Sequence, residues 1–271
     1  MSPLWRDEVG AYLSPHRLCL VRLGRGLRPV LAGEHDEQLT AEATGGWDAA
    51  LAALDARLSE EAWSGAGVQV VLCDHWVRYA IVPWSAALAS ASERLAFARQ
   101  ILAASFGDAV ADWTVCLAEA PPGCPRIACA LPPTLLEGVH SACAKPGVRL
   151  ASIQPQLISA FNSRRHLLPT ARGWFVTLEE GLLAAARLGR EGWDRVHTVR
   201  IGADWTRELR RLATFGRLAS SSAEEGRVYV DAPQSWRQIA GEAARALNWL
   251  AEGDAPLSTM QRLQRVRRRA A

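Results

Sequence analysis

Four residues in one stretch have the donor types of a zinc site: Cys124, Cys129, His140 and Cys143. Zinc takes thiolate and imidazole ligands in a tetrahedron, and structural sites usually deliver them as closely spaced pairs. Here there is no C-x-x-C, Cys129 falls in a strand-like apolar run, and Cys143 lies on the inner side of a helical pattern. Cys129 and Cys143 therefore read as packed thiols, and no metal is expected. Asp74-His75 offers an acid beside a base. Adjacent residues at a strand end point apart, however, and catalysis needs a base, an orienting group and a nucleophile together. His16, His35, His75, His140, His166 and His197 show no recurrent spacing to an acid or nucleophile. G-x-S-x-G, H-E-x-x-H and G-x-G-x-x-G are all missing, and the only Lys, Lys145, precedes Pro146, which excludes a Walker A loop. No catalytic residue is assigned.

Composition narrows the class further. The chain has 271 residues, of which 49% are apolar, enough for a substantial core and one or two domains. The formal charge of +3 is misleading, because Arg262, Arg265, Arg267, Arg268 and Arg269 all follow the last acid, Asp254. Without these five, 26 basic residues face 28 acidic ones. A nearly neutral body with a basic tail is not a nucleic-acid-binding domain. No run approaches the roughly 18 unbroken apolar residues of a membrane helix. Met1–Glu8 has early acids and no apolar stretch, so no secretory signal is expected. Cys19, Cys73, Cys116 and Cys129 sit in apolar runs, consistent with reduced thiols in the cytoplasm.

The elements that must position any site follow from periodicity and turn residues. Strands are expected at Val9–Leu13, Arg17–Leu23 and Arg28–Ala32, separated by Ser14-Pro15-His16 and Gly24-Arg25-Gly26. Trp47, Leu51, Leu54 and Leu58 recur at helical spacing, and Val68–Cys73 reads as a buried strand. Val77–Val82 follows, then a helix opened by the capping box Ser90-x-x-Glu93 and running to Phe106. Strands Trp113–Ala118 and Arg126–Leu131, a helix from Pro133 to Pro146-Gly147, strand Val148–Ile153 and helix Gln156–His166 come next. Trp174–Leu178, Leu182–Leu188 and Trp193–Arg200 are three further strands. Helix Asp204–Phe215, strand Arg227–Val230 and a helical stretch Ser235–Ala251 complete the chain before its polar, Arg-rich end.

Three antiparallel strands, a helix and a buried strand thus occur at 9–73 and again at 174–230. This repeat of order predicts an α/β protein built from two mixed-sheet halves around a cleft. The expected division is 1–167 for the first half, including a small α+β insertion at about 77–145, then 168–252 for the second half and 253–271 for the tail.

This order resembles the actin-like, ribonuclease H-like fold shared with sugar kinases. In finer pattern it is similar to the PilM family of type IV pilus assembly and to the cytoplasmic domain of GspL of type II secretion. The resemblance is carried by the opening VGAYLSPHRLCLVRL from Val9, by VVLCDHWVRYAIVPW from Val70, and by the restart GWFVTLEEG from Gly173. It extends over about residues 9–250.

The resemblance implies where a nucleotide would sit. ATP-binding members present phosphates to the backbone N–H groups of two small hairpin turns and hold Mg²⁺ through carboxylates. They carry an Asp near the end of the first strand, followed by a Gly- and Ser-rich turn. At the matching positions this chain has Tyr12 and Ser14-Pro15-His16, and Pro15 has no N–H to offer. Thr177 replaces the Asp of the second hairpin, whose turn is Leu178-Glu179-Glu180-Gly181. Glu179 and Glu180 could hold Mg²⁺; without it they would repel a polyphosphate. Ala232-Pro233 stands where a Gly-Gly pair is expected near the adenosine. The expectation is no bound cofactor and no ATPase activity. The alternative is a nucleotide-binding protein that uses Glu179 and Glu180 for Mg²⁺.

A degenerate nucleotide fold can serve as an adaptor that grips a partner's strand or apolar side chain. Of the eleven Trp, Trp76 at a hairpin tip and Trp84 after Pro83 are the candidates for partner contact. Arg262, Arg265, Arg267, Arg268 and Arg269 are the candidates for an anionic surface, each adding about 1 kcal/mol there. The implied partner is a bitopic inner-membrane protein of a pilus or secretion machine. GspL carries its own membrane helix after this domain, whereas here the chain ends, which favours the separate PilM arrangement. The expected location is the cytoplasm, peripheral to the inner membrane.

Overall fold

The computed structural model describes residues 7–24, 30–40, 46–168, 172–218, 226–241, 245 and 247–250. Two compact units emerge. The first holds the chain up to His75 together with Thr134–Ser163. The second holds Trp76–Pro133 and the described residues from Arg164 onward.

The first unit is a mixed five-stranded sheet. Its strands are β1 (Glu8–Ser14), β2 (Arg17–Leu23), β3 (Leu31–Gln38), β4 (Gly67–Leu72) and β8 (Arg149–Pro155), in the order β3-β2-β1-β4-β8. β1 to β3 form an antiparallel meander, while β4 and β8 run parallel to β1. Parallel neighbours need a crossover, which α1 (Asp48–Leu58) supplies between β3 and β4. β1 and β4 are central and apolar along nearly their whole length, as strands covered on both faces must be. Helix α3 (Pro133–Cys143) buries Leu135, Val139, Ala142 and Cys143, and its Gly138 leaves room for Leu51 of α1.

β3 differs from the expected Arg28–Ala32. It begins at Leu31 and runs through the polar stretch to Gln38, because an edge strand needs no apolar alternation. Its acids are matched instead by neighbouring bases. Arg17 pairs with Asp36, and Arg57 meets Glu37 at 3.1 Å. Arg25, Gly26 and the residues up to Pro29 lie outside the described residues.

The second unit repeats this topology. β9 (Gly173–Glu179), β10 (Leu182–Gly189), β11 (Gly192–Arg200), β12 (Val228–Asp231) and β13 (Asn248–Trp249) are ordered β11-β10-β9-β12-β13. The pairing again changes from antiparallel to parallel at the central strand. α5 (Trp205–Leu218) is the crossover, and Trp205, Leu209, Leu212 and Ala213 pack on Trp174, Val176 and Val230. The helical stretch expected over Ser235–Ala251 is corrected here. α6 spans only Gln234–Ala240, Gly241 follows with φ +54°, and Asn248–Trp249 joins the sheet parallel to β12. The apolar residues read as a helix face serve two elements, and Ala243 lies outside the described residues.

The second unit also contains the inserted block. β5 (Arg78–Val82), β6 (Thr114–Leu117) and β7 (Arg126–Leu131) form an antiparallel sheet ordered β5-β7-β6, covered by α2 (Ala91–Phe106). The capping box opens α2 as read: Glu93 N–H donates to Ser90 Oγ at 3.1 Å, and Ser90 N–H donates to Glu93 Oε2 at 2.8 Å. The sequence boundary at about 145 drew α3 into this block, whereas α3 falls in the first unit and the block ends before Thr134.

Candidate functional site

The two hairpins and the end of β12 are where the sequence points for a nucleotide. Each is built from its own strands. β1 and β2 pair without interruption up to Ser14 opposite Arg17, so their turn is Pro15-His16 alone. A phosphate loop needs several convergent N–H donors. This turn has one, from His16, because Pro15 has none. Its other polar groups are engaged locally: Ser14 Oγ donates to the Arg17 carbonyl at 3.2 Å, and the His16 carbonyl accepts from Leu39 N–H at 2.8 Å. Tyr12 is buried in β1.

β9 and β10 likewise pair up to Glu179 opposite Leu182, leaving Glu180-Gly181 as the turn. Gly181 has φ +78°, a conformation that suits Gly at a tight turn. The two candidate acids part company here. Glu179 ends the strand and is 8% exposed, while Glu180 is exposed at the tip. Thr177 is buried one strand position inward from Leu178. Among the described residues, no three His, Cys, Asp or Glu come together as a metal-holding group.

At the end of β12, Asp231 is the register partner of Thr177. Its Oδ1 accepts from Arg164 Nε at 2.9 Å, and both side chains are almost wholly buried. Among the described residues, the two terminal nitrogens of Arg164 have no hydrogen-bond partner. Burial pushes the Asp231 carboxyl above its ordinary value, and Arg164 pulls it back only in part. This ionic pair was missed in the sequence. The one available cue was a carboxylate closing the apolar run Val228–Val230.

The equivalent strand of the first unit, β4, is also followed by an Asp. Asp74 is buried, and its Oδ1 accepts from Leu157 N–H at 3.2 Å. Leu157 lies in the first turn of α4 (Gln156–Arg164), where N–H groups have no partner within the helix and a carboxylate complements the dipole. Asp74 thus caps the first turn of α4.

The remaining candidates are dispersed. Trp76, expected at the surface, is 4% exposed; the short 3-10 turn Asp74–Trp76 turns its ring inward. Trp84 is 47% exposed. Arg262, Arg265, Arg267, Arg268 and Arg269 lie outside the described residues. Cys124 and Cys129 fall in the second unit, His140 and Cys143 on α3 of the first.

Cys129 does have a neighbour the sequence did not suggest. It is the register partner of Cys116 across β6 and β7, and its hydrogen bond pulls the Cys116 thiol down to about 6, against the upward push of burial. Burial alone raises Cys143 to about 11. Alkylation of Cys116 should therefore rise with pH to a plateau with a midpoint near 6, and Cys129→Ala should move that midpoint toward about 8.5. Mass spectrometry of iodoacetamide-treated protein across pH 5–9 reads both; a wild-type midpoint at the ordinary thiol value would refute the assignment.

Comparison with known proteins bears on the fold. The PilM–PilN type IV pilus biogenesis complex superposes with a TM-score of 0.65 at 15% identity, covering 93% of this chain and 89% of the other. The cytoplasmic domain of EpsL, an inner-membrane component of the Vibrio cholerae type II secretion system, gives 0.59 at 13% identity, covering 96% and 94%. A Bacteroides thetaiotaomicron protein with an actin-like ATPase fold and unknown function gives 0.63 at 9%, covering 96% of each chain. This chain has the actin-like fold. No protein-family model matches it, and no curated protein does.

Proposed function

We propose that this actin-like chain is a non-catalytic adaptor of a type IV pilus or type II secretion-like assembly, working in the cytoplasm beside the inner membrane and holding a segment of a bitopic membrane protein. The observation that carries the reading is the pair of two-residue hairpin turns. One contains Pro15, and the strands leading into them carry Tyr12 and Thr177 where nucleotide-binding members place carboxylates. A fold that keeps its frame but not its phosphate donors suits recognition of another polypeptide. The likeness to a PilM–PilN complex and to the EpsL cytoplasmic domain supports the choice of assembly. No helix among the described residues is long and apolar enough to cross a membrane, so in this reading the membrane span belongs to the partner.

The test is affinity purification of the tagged full chain from detergent-solubilised membranes of its own cells. The expected result is stoichiometric recovery of one single-span pilus or secretion protein. Recovery of soluble proteins only would contradict the reading.

A further inference from the structure

Cys116 and Cys129 stand opposite each other across the antiparallel pair β6–β7. Side chains alternate along a strand, and Val115, Ala128 and Ala130 pack with Ala98 and Leu102 of α2. Both cysteines therefore project from the other face of this sheet. Cys116 is exposed and Cys129 half-buried, whereas Cys19, Cys73 and Cys143 are buried. Opposed residues of an antiparallel pair stand about 4.5–5.5 Å apart at Cα, inside the roughly 4.4–6.8 Å that a disulfide spans. The two thiols are near enough to share a hydrogen bond, which holds Cys116 down to about 6. The thiolate is the nucleophile in disulfide exchange, so Cys116 offers it in an accessible position at neutral pH.

We propose that Cys116 and Cys129 form a reversible modification site, which reacts with low-molecular-weight disulfides such as oxidised glutathione and closes to a cross-strand disulfide. The Cys116 thiolate attacks one sulfur of the reagent. A mixed disulfide forms on Cys116 Sγ, the reagent's own S–S bond breaks, and one thiolate leaves. Cys129 then gives up its proton and attacks Cys116 Sγ, expelling the second thiolate. The cysteine pair loses two electrons and the reagent gains them; the protons lost by the two cysteines end on the two released thiols. The bridge joins β6, the end strand of its sheet, to β7, and it closes the connection that carries Pro121-Pro122-Gly123. Cys124 lies in that connection and is the competing thiol. A bridge with an exposed sulfur is readily reduced, which suits a reversible mark more than a structural staple. This site does not depend on the adaptor reading.

The test incubates the reduced full chain with oxidised glutathione, traps free thiols with N-ethylmaleimide at intervals, and maps the products by mass spectrometry. The wild type should release two molecules of reduced glutathione per chain and yield a Cys116–Cys129 bridge that dithiothreitol reopens. Cys129→Ala should stop at glutathione on Cys116 and release only one. Cys116→Ala, at an exposed position, should release glutathione at least about tenfold more slowly. Cys124→Ser should form the same bridge as the wild type. Glutathione that stays on Cys116 of the wild type, a bridge to Cys124 or between two chains, or a wild type that does not react would each overturn the assignment.

Discussion

Replacing Arg164 with Ala should cost about 3–5 kcal/mol of stability, because it leaves the buried Asp231 carboxylate without its counter-charge. The pair is almost entirely removed from water, and Arg164 meets Asp231 through Nε while its terminal nitrogens find no partner among the described residues. Such a pair contributes little over an apolar replacement, yet losing one member is expensive. Arg164→Met/Asp231→Leu should therefore recover most of what Arg164→Ala loses. The pH dependence has a definite sign. Asp231 titrates above its ordinary 3.8 in the folded chain, so its contribution to stability is complete below that value and is lost as pH rises through the folded value. Asp231→Asn should remove that part of the profile. Urea unfolding at several pH values reads all three variants. A cost for Arg164→Ala below about 1 kcal/mol would mean that the pair is solvated.

Phe175→Ala should also cost about 3–5 kcal/mol, through lost burial and the cavity left behind. β9 is the central strand of the second sheet, hydrogen-bonded to β10 on one edge and β12 on the other. Trp174, Val176 and Leu178 face the core under α5, while Phe175 alternates to the opposite face and is completely buried there. A strand covered on both faces and both edges cannot collapse into the gap without disturbing its neighbours. Phe175→Leu, which keeps most of the volume, should lose less than half as much. Equal losses for the two variants would show that the ring is not the packing element.

How legible these features were depended on the length scale of the signal. The capping box of α2, the turn at Pro15-His16 and the apolar runs of β2 and β10 act over a few residues, and each stands where the local pattern put it. The repeated order of strands predicted the duplicated sheets, because three hairpin-joined strands followed by a helix and a buried strand have few ways to pack. β3 was misplaced because its outer edge has no neighbour and its faces take charged side chains without penalty. β13 was hidden because two residues have no period. The Arg164–Asp231 pair joins residues 67 positions apart, and nothing local marks an Arg that will be buried. The local pattern places Trp76 at a hairpin tip, whereas the 3-10 turn before β5 folds it inward.

Each unit carries a buried aspartate near the end of its parallel strand, Asp74 after β4 and Asp231 at the end of β12. In the first unit Asp74 caps the first turn of α4, and in the second Asp231 accepts from Arg164. Asp231 is also the register neighbour of Thr177, the position where a nucleotide-binding relative would carry its own acid. Glu179 and Glu180 are the acids of the second hairpin, one buried and one exposed.

Calorimetric titration of the full chain with Mg-ATP tests the central claim most directly. The account predicts no saturable heat up to millimolar nucleotide, in the wild type and in Glu179→Ala/Glu180→Ala alike. Micromolar binding that disappears in the double variant would contradict it.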